Sequence, residues 1–109
     1  MSEHTFYPDL LQLVGDITPD TILSRTIQEN AGCKTVLFAF APGQALSEHI
    51  ATMPAIIHIL QGEATLTLGD QVQEVSAGAW AYMNARLPHS VQAHSAVIML
   101  LTMLKGLKE

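Results

Sequence analysis

The sequence predicts an all-β protein, an antiparallel sandwich or barrel, and three observations predict it. Seven to nine short segments rich in β-branched and apolar residues follow one another at close spacing. Turn-forming residues separate them, as in Glu29-Asn30-Ala31-Gly32, Ala41-Pro42-Gly43-Gln44, Gly69-Asp70 and Ser76-Ala77-Gly78. One segment, Ala64-Thr65-Leu66-Thr67-Leu68, alternates apolar with polar residues, which gives a strand two unlike faces.

The elements follow in chain order. Leu10, Leu11, Leu13 and Val14 permit one short turn of helix, and Pro19 ends that pattern. Residues 1–20 are therefore read as a segment that packs on the main domain or on a partner, and residues 21–109 as that single domain. Strands are expected over Thr21 to Gln28, Cys33 to Phe40, Ala55 to Gln61 and Ala64 to Leu68. After the Gly69-Asp70 hairpin come Gln71 to Val75, Trp80 to Met83, Leu87 to Ala93 and Ala96 to Leu104.

Composition limits the function classes. With 109 residues there is room for one core. The net charge is −5 and the five basic residues form no run, so no stripe exists to neutralise phosphates or to meet an anionic membrane surface. Neither nucleic acid nor membrane is an expected partner. Cys33 is the single cysteine, and the first residues lack the basic start and apolar run of a signal peptide. The expected location is the cytoplasm.

The chain is 49% hydrophobic and only 14% charged. Val36-Leu37-Phe38-Ala39-Phe40 and Val97-Ile98-Met99-Leu100-Leu101 are apolar on both faces. A sandwich strand normally wets one face, so these two require a second cover. The N-terminal segment or a second copy of the chain could supply it, and a homodimer is expected.

The glycines and histidines carry a more specific pattern. Pro42-Gly43 is followed by five residues and then His49. Gly62 follows thirteen residues after His49, within His58-Ile59-Leu60-Gln61-Gly62-Glu63. Gly78 is followed by five residues and then Asn84-Ala85-Arg86-Leu87-Pro88-His89. The order and separation resemble the two cupin motifs, G-x5-H-x-H-x3-4-E-x6-G and G-x5-P-x-G-x2-H-x3-N. The resemblance spans Thr21 to Leu104 and points to a small single-domain cupin of the RmlC-like, cupin-2 type. It implies a jelly-roll barrel, the double-stranded β-helix.

In that family three histidines and a carboxylate or amide hold a divalent metal. Here His49 and His89 stand at two of those four positions, while Ala51 and Ala55 stand at the others. Asn84 replaces the motif's proline, Arg86 its glycine and Ala93 its terminal asparagine. The run Leu46-Ser47-Glu48-His49 with Met53-Pro54-Ala55 is similar to a subgroup of stand-alone cupins with one histidine per motif.

Strand parity then orders the side chains. With His49 inward, Glu48 points outward, and with Ala55 inward, Ile57 and Ile59 follow it while His58 faces out. Leu87, His89 and Val91 are expected on one strand face. The expected pocket is an apolar cup around His49 and His89, lined by Ile57, Ile59, Leu87 and Val91, with Tyr82 and Arg86 as polar or charged tips. Arg86 at its mouth would favour an anionic ligand.

Three functional readings follow. The first is a small-molecule-binding cupin centred on His49 and His89. The second is a metal-dependent dioxygenase or isomerase using those histidines around Fe, Mn, Ni or Zn. The third is a non-catalytic sensing or assembly module. In a dry alternative the histidines are a buried polar pair bonded to each other, to Tyr82 or to water. No Ser/His/Asp order, phosphate loop or Cys/His zinc spacing appears.

Overall fold

A computed structural model describes residues 3–106. Nine strands and one short 3-10 turn, Leu11–Leu13, make up its regular structure. The strands are β1 (Ile22–Glu29), β2 (Cys33–Phe40), β3 (Ala45–His49), β4 (Ala55–Gln61) and β5 (Glu63–Leu68), followed by β6 (Gln71–Ser76), β7 (Trp80–Met83), β8 (His89–Ala93) and β9 (Val97–Leu104). They form two antiparallel sheets, β1-β2-β9-β4-β7 and β3-β8-β5-β6, stacked as a jelly roll.

Local chemistry places the turns. Between β1 and β2 the Asn30 side-chain oxygen accepts from the backbone N–H of Gly32 (2.8 Å) and of Cys33 (3.0 Å), which reverses the chain without a ladder. Beside it, the Lys105 ammonium donates to the Glu29 carboxylate at 2.6 Å and to the Asn30 carbonyl at 3.2 Å. Gly62, between β4 and β5, has φ +91°, and a Cβ there would run into the carbonyl of Ala96. That close approach requires glycine at this motif position.

The alternation expected for β4 is present. Ala55, Ile57 and Ile59 are buried in the core, and Ile56, His58 and Leu60 between them are only half-buried. Leu66, Val91, Val97, Met99 and Phe40 complete the central layer between the sheets. Burying these side chains supplies roughly 1.5–3 kcal/mol each.

Leu37, Ala39 and Ile98 are also buried, yet register puts them on the other face of the five-stranded sheet. The N-terminal segment reaches this face. Tyr7 donates its hydroxyl to the Ile27 carbonyl at 2.9 Å, and Val14 and Ile17 share a cavity of about 320 Å³ with Leu23 and Ala39.

Two strand expectations change. β3 is an additional strand, over a segment where no regular alternation is visible. β8 starts at His89, and Leu87 belongs to the preceding turn, where its N–H donates to the Asn84 carbonyl. Pro88, without an N–H, separates the turn from the ladder.

Candidate functional site

β3 is the edge of the four-stranded sheet and pairs with β8. Leu46 lies opposite Val91, and His49 lies opposite His89. Three steps along β3 therefore match two along β8, so Ser47 and Glu48 form a bulge. Without it, Leu46 and His49, an odd number of residues apart, would face opposite sides. The bulge turns both toward the side occupied by Val91.

The consequence is a histidine pair. The two rings lie with centroids 4.2 Å apart and planes inclined at 60°. His89 is buried (6% exposed), while His49 at the sheet edge is exposed. His49 Nδ1 lies 2.8 Å from the Ser47 carbonyl, and His89 Nδ1 lies 2.9 Å from the Leu87 carbonyl. A carbonyl oxygen only accepts, so both Nδ1 atoms carry the proton and donate. In the neutral rings both Nε2 atoms then bear lone pairs, and among the described residues neither has a hydrogen-bond partner.

The other expected site residues divide. Val91 is buried two residues beyond His89 on the same face. Leu87 packs against the core and supplies the carbonyl that orients His89. Arg86 lies in the turn, exposed, with φ +67°, and its N–H donates to the Ala51 carbonyl at 2.7 Å. This ties the second motif's loop to the chain two residues beyond His49.

Tyr82 stands apart from the pair. It lies opposite Ile56 on the face turned away from the core and is 44% exposed, because Ala81 and Met83 take the inward positions of β7. Ile57 and Ile59 line a cavity of about 290 Å³ with residues of β5, β6 and β7, but neither histidine lines it. The single cup expected from the sequence is thus divided into a histidine pair and an apolar cavity. Leu68 connects them: it lies opposite His89 in the ladder and lines the cavity.

The Ser47 carbonyl that orients His49 and the pairing of β3 with β8 are not legible in the sequence. Leu66, Leu68 and Val75, which line the cavity, were available in the alternation of Ala64 to Leu68 and its hairpin partner.

The donor set does not fit a resident metal. The pair offers two imidazoles with ring centroids 4.2 Å apart, whereas divalent metals in proteins ordinarily take three or more protein ligands. Alanine occupies positions 51 and 55, and among the described residues no three His, Cys, Asp or Glu side chains are grouped to hold an ion.

A second histidine cluster lies elsewhere. His94 Nε2 and the Glu74 carboxylate both approach the Thr65 hydroxyl, at 2.6 Å and 2.8–2.9 Å, on an exposed surface. Among the described residues no helix is long and apolar enough to cross a membrane.

Comparisons with known proteins agree with this architecture. A conserved protein of unknown function from Streptococcus pyogenes is 32% identical, with 98% of this chain and 93% of that chain covered and a TM-score of 0.84. A cupin superfamily protein from Desulfitobacterium hafniense is 25% identical over 91% of each chain, with a TM-score of 0.82. An RmlC-like cupin from Desulfovibrio desulfuricans is 26% identical, covering 93% of this chain and 97% of that one, with a TM-score of 0.78. Among curated proteins none matches. The profile of the cupin domain matches residues 36–104, more than half of the sequence, and the chain belongs to the cupin domain family.

Proposed function

We propose that the protein binds a small molecule at the His49–His89 pair. The observation that carries this reading is the orientation of the two rings. Each Nδ1–H is committed to a backbone carbonyl, which leaves one Nε2 lone pair as an acceptor on each of two rings whose centroids are 4.2 Å apart. Such a pair recognises a ligand with two adjacent O–H or N–H donors. The exposure of His49 gives access, and the burial of His89 anchors the inner side of the pair. Arg86 belongs to the loop that is joined by its backbone to Ala51.

Catechol, with two adjacent hydroxyls, is a suitable probe. It is expected to raise the melting temperature of the native protein and to leave that of the His49→Ala, His89→Ala double variant unchanged. Equal shifts in both proteins, or none in the native one, overturn the reading. The metal-dependent dioxygenase or isomerase is the lesser alternative, since only two of four ligand positions are filled. A non-catalytic sensing or assembly module is compatible with the same pair, and retention of catechol unchanged after binding separates it from an enzyme. The single cysteine keeps the cytoplasm as the proposed location.

The proposed assembly is a homodimer. Ile56, His58, Leu60 and Tyr82 stand on the outer face of β4 and β7, and Leu100 of β9 lies opposite His58. Apolar side chains so placed favour a covering surface. Light scattering at micromolar concentration is expected to give twice the chain mass, and Ile56→Asp to give the monomer. A monomeric native protein refutes this assembly.

A further inference from the structure

The two sheets leave a gap at one side. β6 ends the four-stranded sheet, β7 ends the five-stranded sheet, and among the described residues no ladder joins the two. The 290 Å³ cavity lies between β4, β5, β6 and β7, and the inward residues beside this gap line it.

β7 distributes its side chains unusually. Its large residues, Trp80 and Tyr82, are 61% and 44% exposed. The inward positions facing the cavity are Ala79, one residue before the strand, and Ala81. β4, paired with it, places isoleucines at the equivalent inward positions 57 and 59. Protein interiors are ordinarily filled, so small residues on the inward side and aromatics on the outward side create the space.

We propose that this gap is a second binding site, separate from the histidine pair, for an uncharged and mainly apolar small molecule with one hydrogen-bonding group. Among the described residues no ionisable side chain lines the cavity, so an ion entering it would lose hydration without a compensating partner. The aliphatic walls favour an apolar body. Gln73 is the polar side chain of the lining, and its amide both donates and accepts, which suits one hydroxyl, amine or carbonyl. The volume sits at the lower end of ligand pockets, roughly 300–1,000 Å³, and selects a compact molecule of no more than about three rings.

Trp80 is the only tryptophan; its side chain is turned outward, but its residue borders the cavity, so it lies within energy-transfer distance of a bound dye. The probe is N-phenyl-1-naphthylamine, an uncharged two-part aromatic with one N–H. Titration is expected to transfer Trp80 excitation to the dye in a saturable manner. Ala81→Leu, which fills the cavity, is expected to weaken binding at least about tenfold while leaving the circular dichroism spectrum native. Ala79→Leu is the second blocking variant, and it carries the test if Ala81→Leu does not fold. The His49→Ala, His89→Ala double variant is expected to bind the dye as the native protein does. This outcome is independent of whether catechol binds at the histidines. Absence of saturable transfer, or unchanged affinity in a folded blocking variant, overturns the proposal. So does loss of transfer in the histidine variant, or equal affinity for the anionic analogue 8-anilinonaphthalene-1-sulfonate.

Discussion

His49 and His89 face each other across the β3–β8 ladder, and each fixes its ring by donating Nδ1–H to the carbonyl two residues before it. Their environments nevertheless differ. His89 is buried and His49 is exposed, so equal truncations have unequal costs. His89→Ala is expected to destabilise the fold by about 1–3 kcal/mol, through an unpaired Leu87 carbonyl and a lost contact. His49→Ala is expected to stay within about 0.5 kcal/mol. Chemical denaturation of both variants measures the difference. Nitrogen NMR at pH 8 should show both Nε2 atoms unprotonated, and a protonated Nε2 on either ring contradicts the assigned tautomer.

The incomplete donor set makes a second expectation. Purified, untagged protein grown with supplemented Fe, Mn, Ni and Zn should hold well under one metal per chain by elemental analysis, since metal sites ordinarily use three or more ligands. Ala51 lies two residues beyond His49, at the position where the cupin pattern carries a second histidine. Ala51→His should raise zinc affinity at least about 100-fold, as a third imidazole joins the pair. Isothermal titration compares the two proteins. Tight stoichiometric zinc binding by the native chain would show that the two histidines suffice or that a further ligand is recruited.

How far the sequence revealed this arrangement depends on how regular each strand is. β4 was legible because Ala55, Ile57 and Ile59 alternate with half-buried neighbours, and its inward face followed from parity alone. The jelly roll was legible because the glycine and histidine spacings survive where the ligands do not. β3 was not legible, because the Ser47-Glu48 bulge breaks the period of two that defines a strand. Tyr82 was misplaced for a different reason. Trp80-Ala81-Tyr82-Met83 carries a large residue on each face, so periodicity could not say which face the sheet buries. Whether one cup or two spaces exist is set by the stacking of the sheets, which no local pattern encodes.

Arg86 occupies a position for which its side chain is ill suited. Its φ of +67° is in the left-handed region, and the cupin pattern carries glycine there. A residue with a Cβ costs about 1–2 kcal/mol in that conformation, and glycine gives back part of this through unfolded-state entropy. The backbone bond from Arg86 to the Ala51 carbonyl is retained in a glycine variant. Arg86→Gly is therefore expected to stabilise the protein by about 0.5–1 kcal/mol in urea denaturation. A destabilised variant would show that the guanidinium makes a contact stronger than the strain it incurs.

The Glu29–Lys105 contact gives a pH dependence with a definite sign. The hydrogen bond from Lys105 is the main cause that holds the Glu29 carboxyl below its ordinary value of 4.5, and the charge of the same ammonium adds to it. Glutamate in the unfolded chain keeps its ordinary value, so as pH falls the unfolded state takes up the proton first. The contact thus contributes its stability at neutral pH and loses it as pH falls through the depressed value of the folded state. Because both groups reach solvent, salt screens the charge part of the effect. Carboxyl-carbon NMR titration is the direct measurement. Glu29 should titrate lower than a free glutamate in the native protein and move upward in Lys105→Met. Rescue by Lys105→Arg, which restores a cationic donor to the carboxylate, is the expected control. An unchanged midpoint in Lys105→Met would mean that the two side chains spend little time in contact in solution.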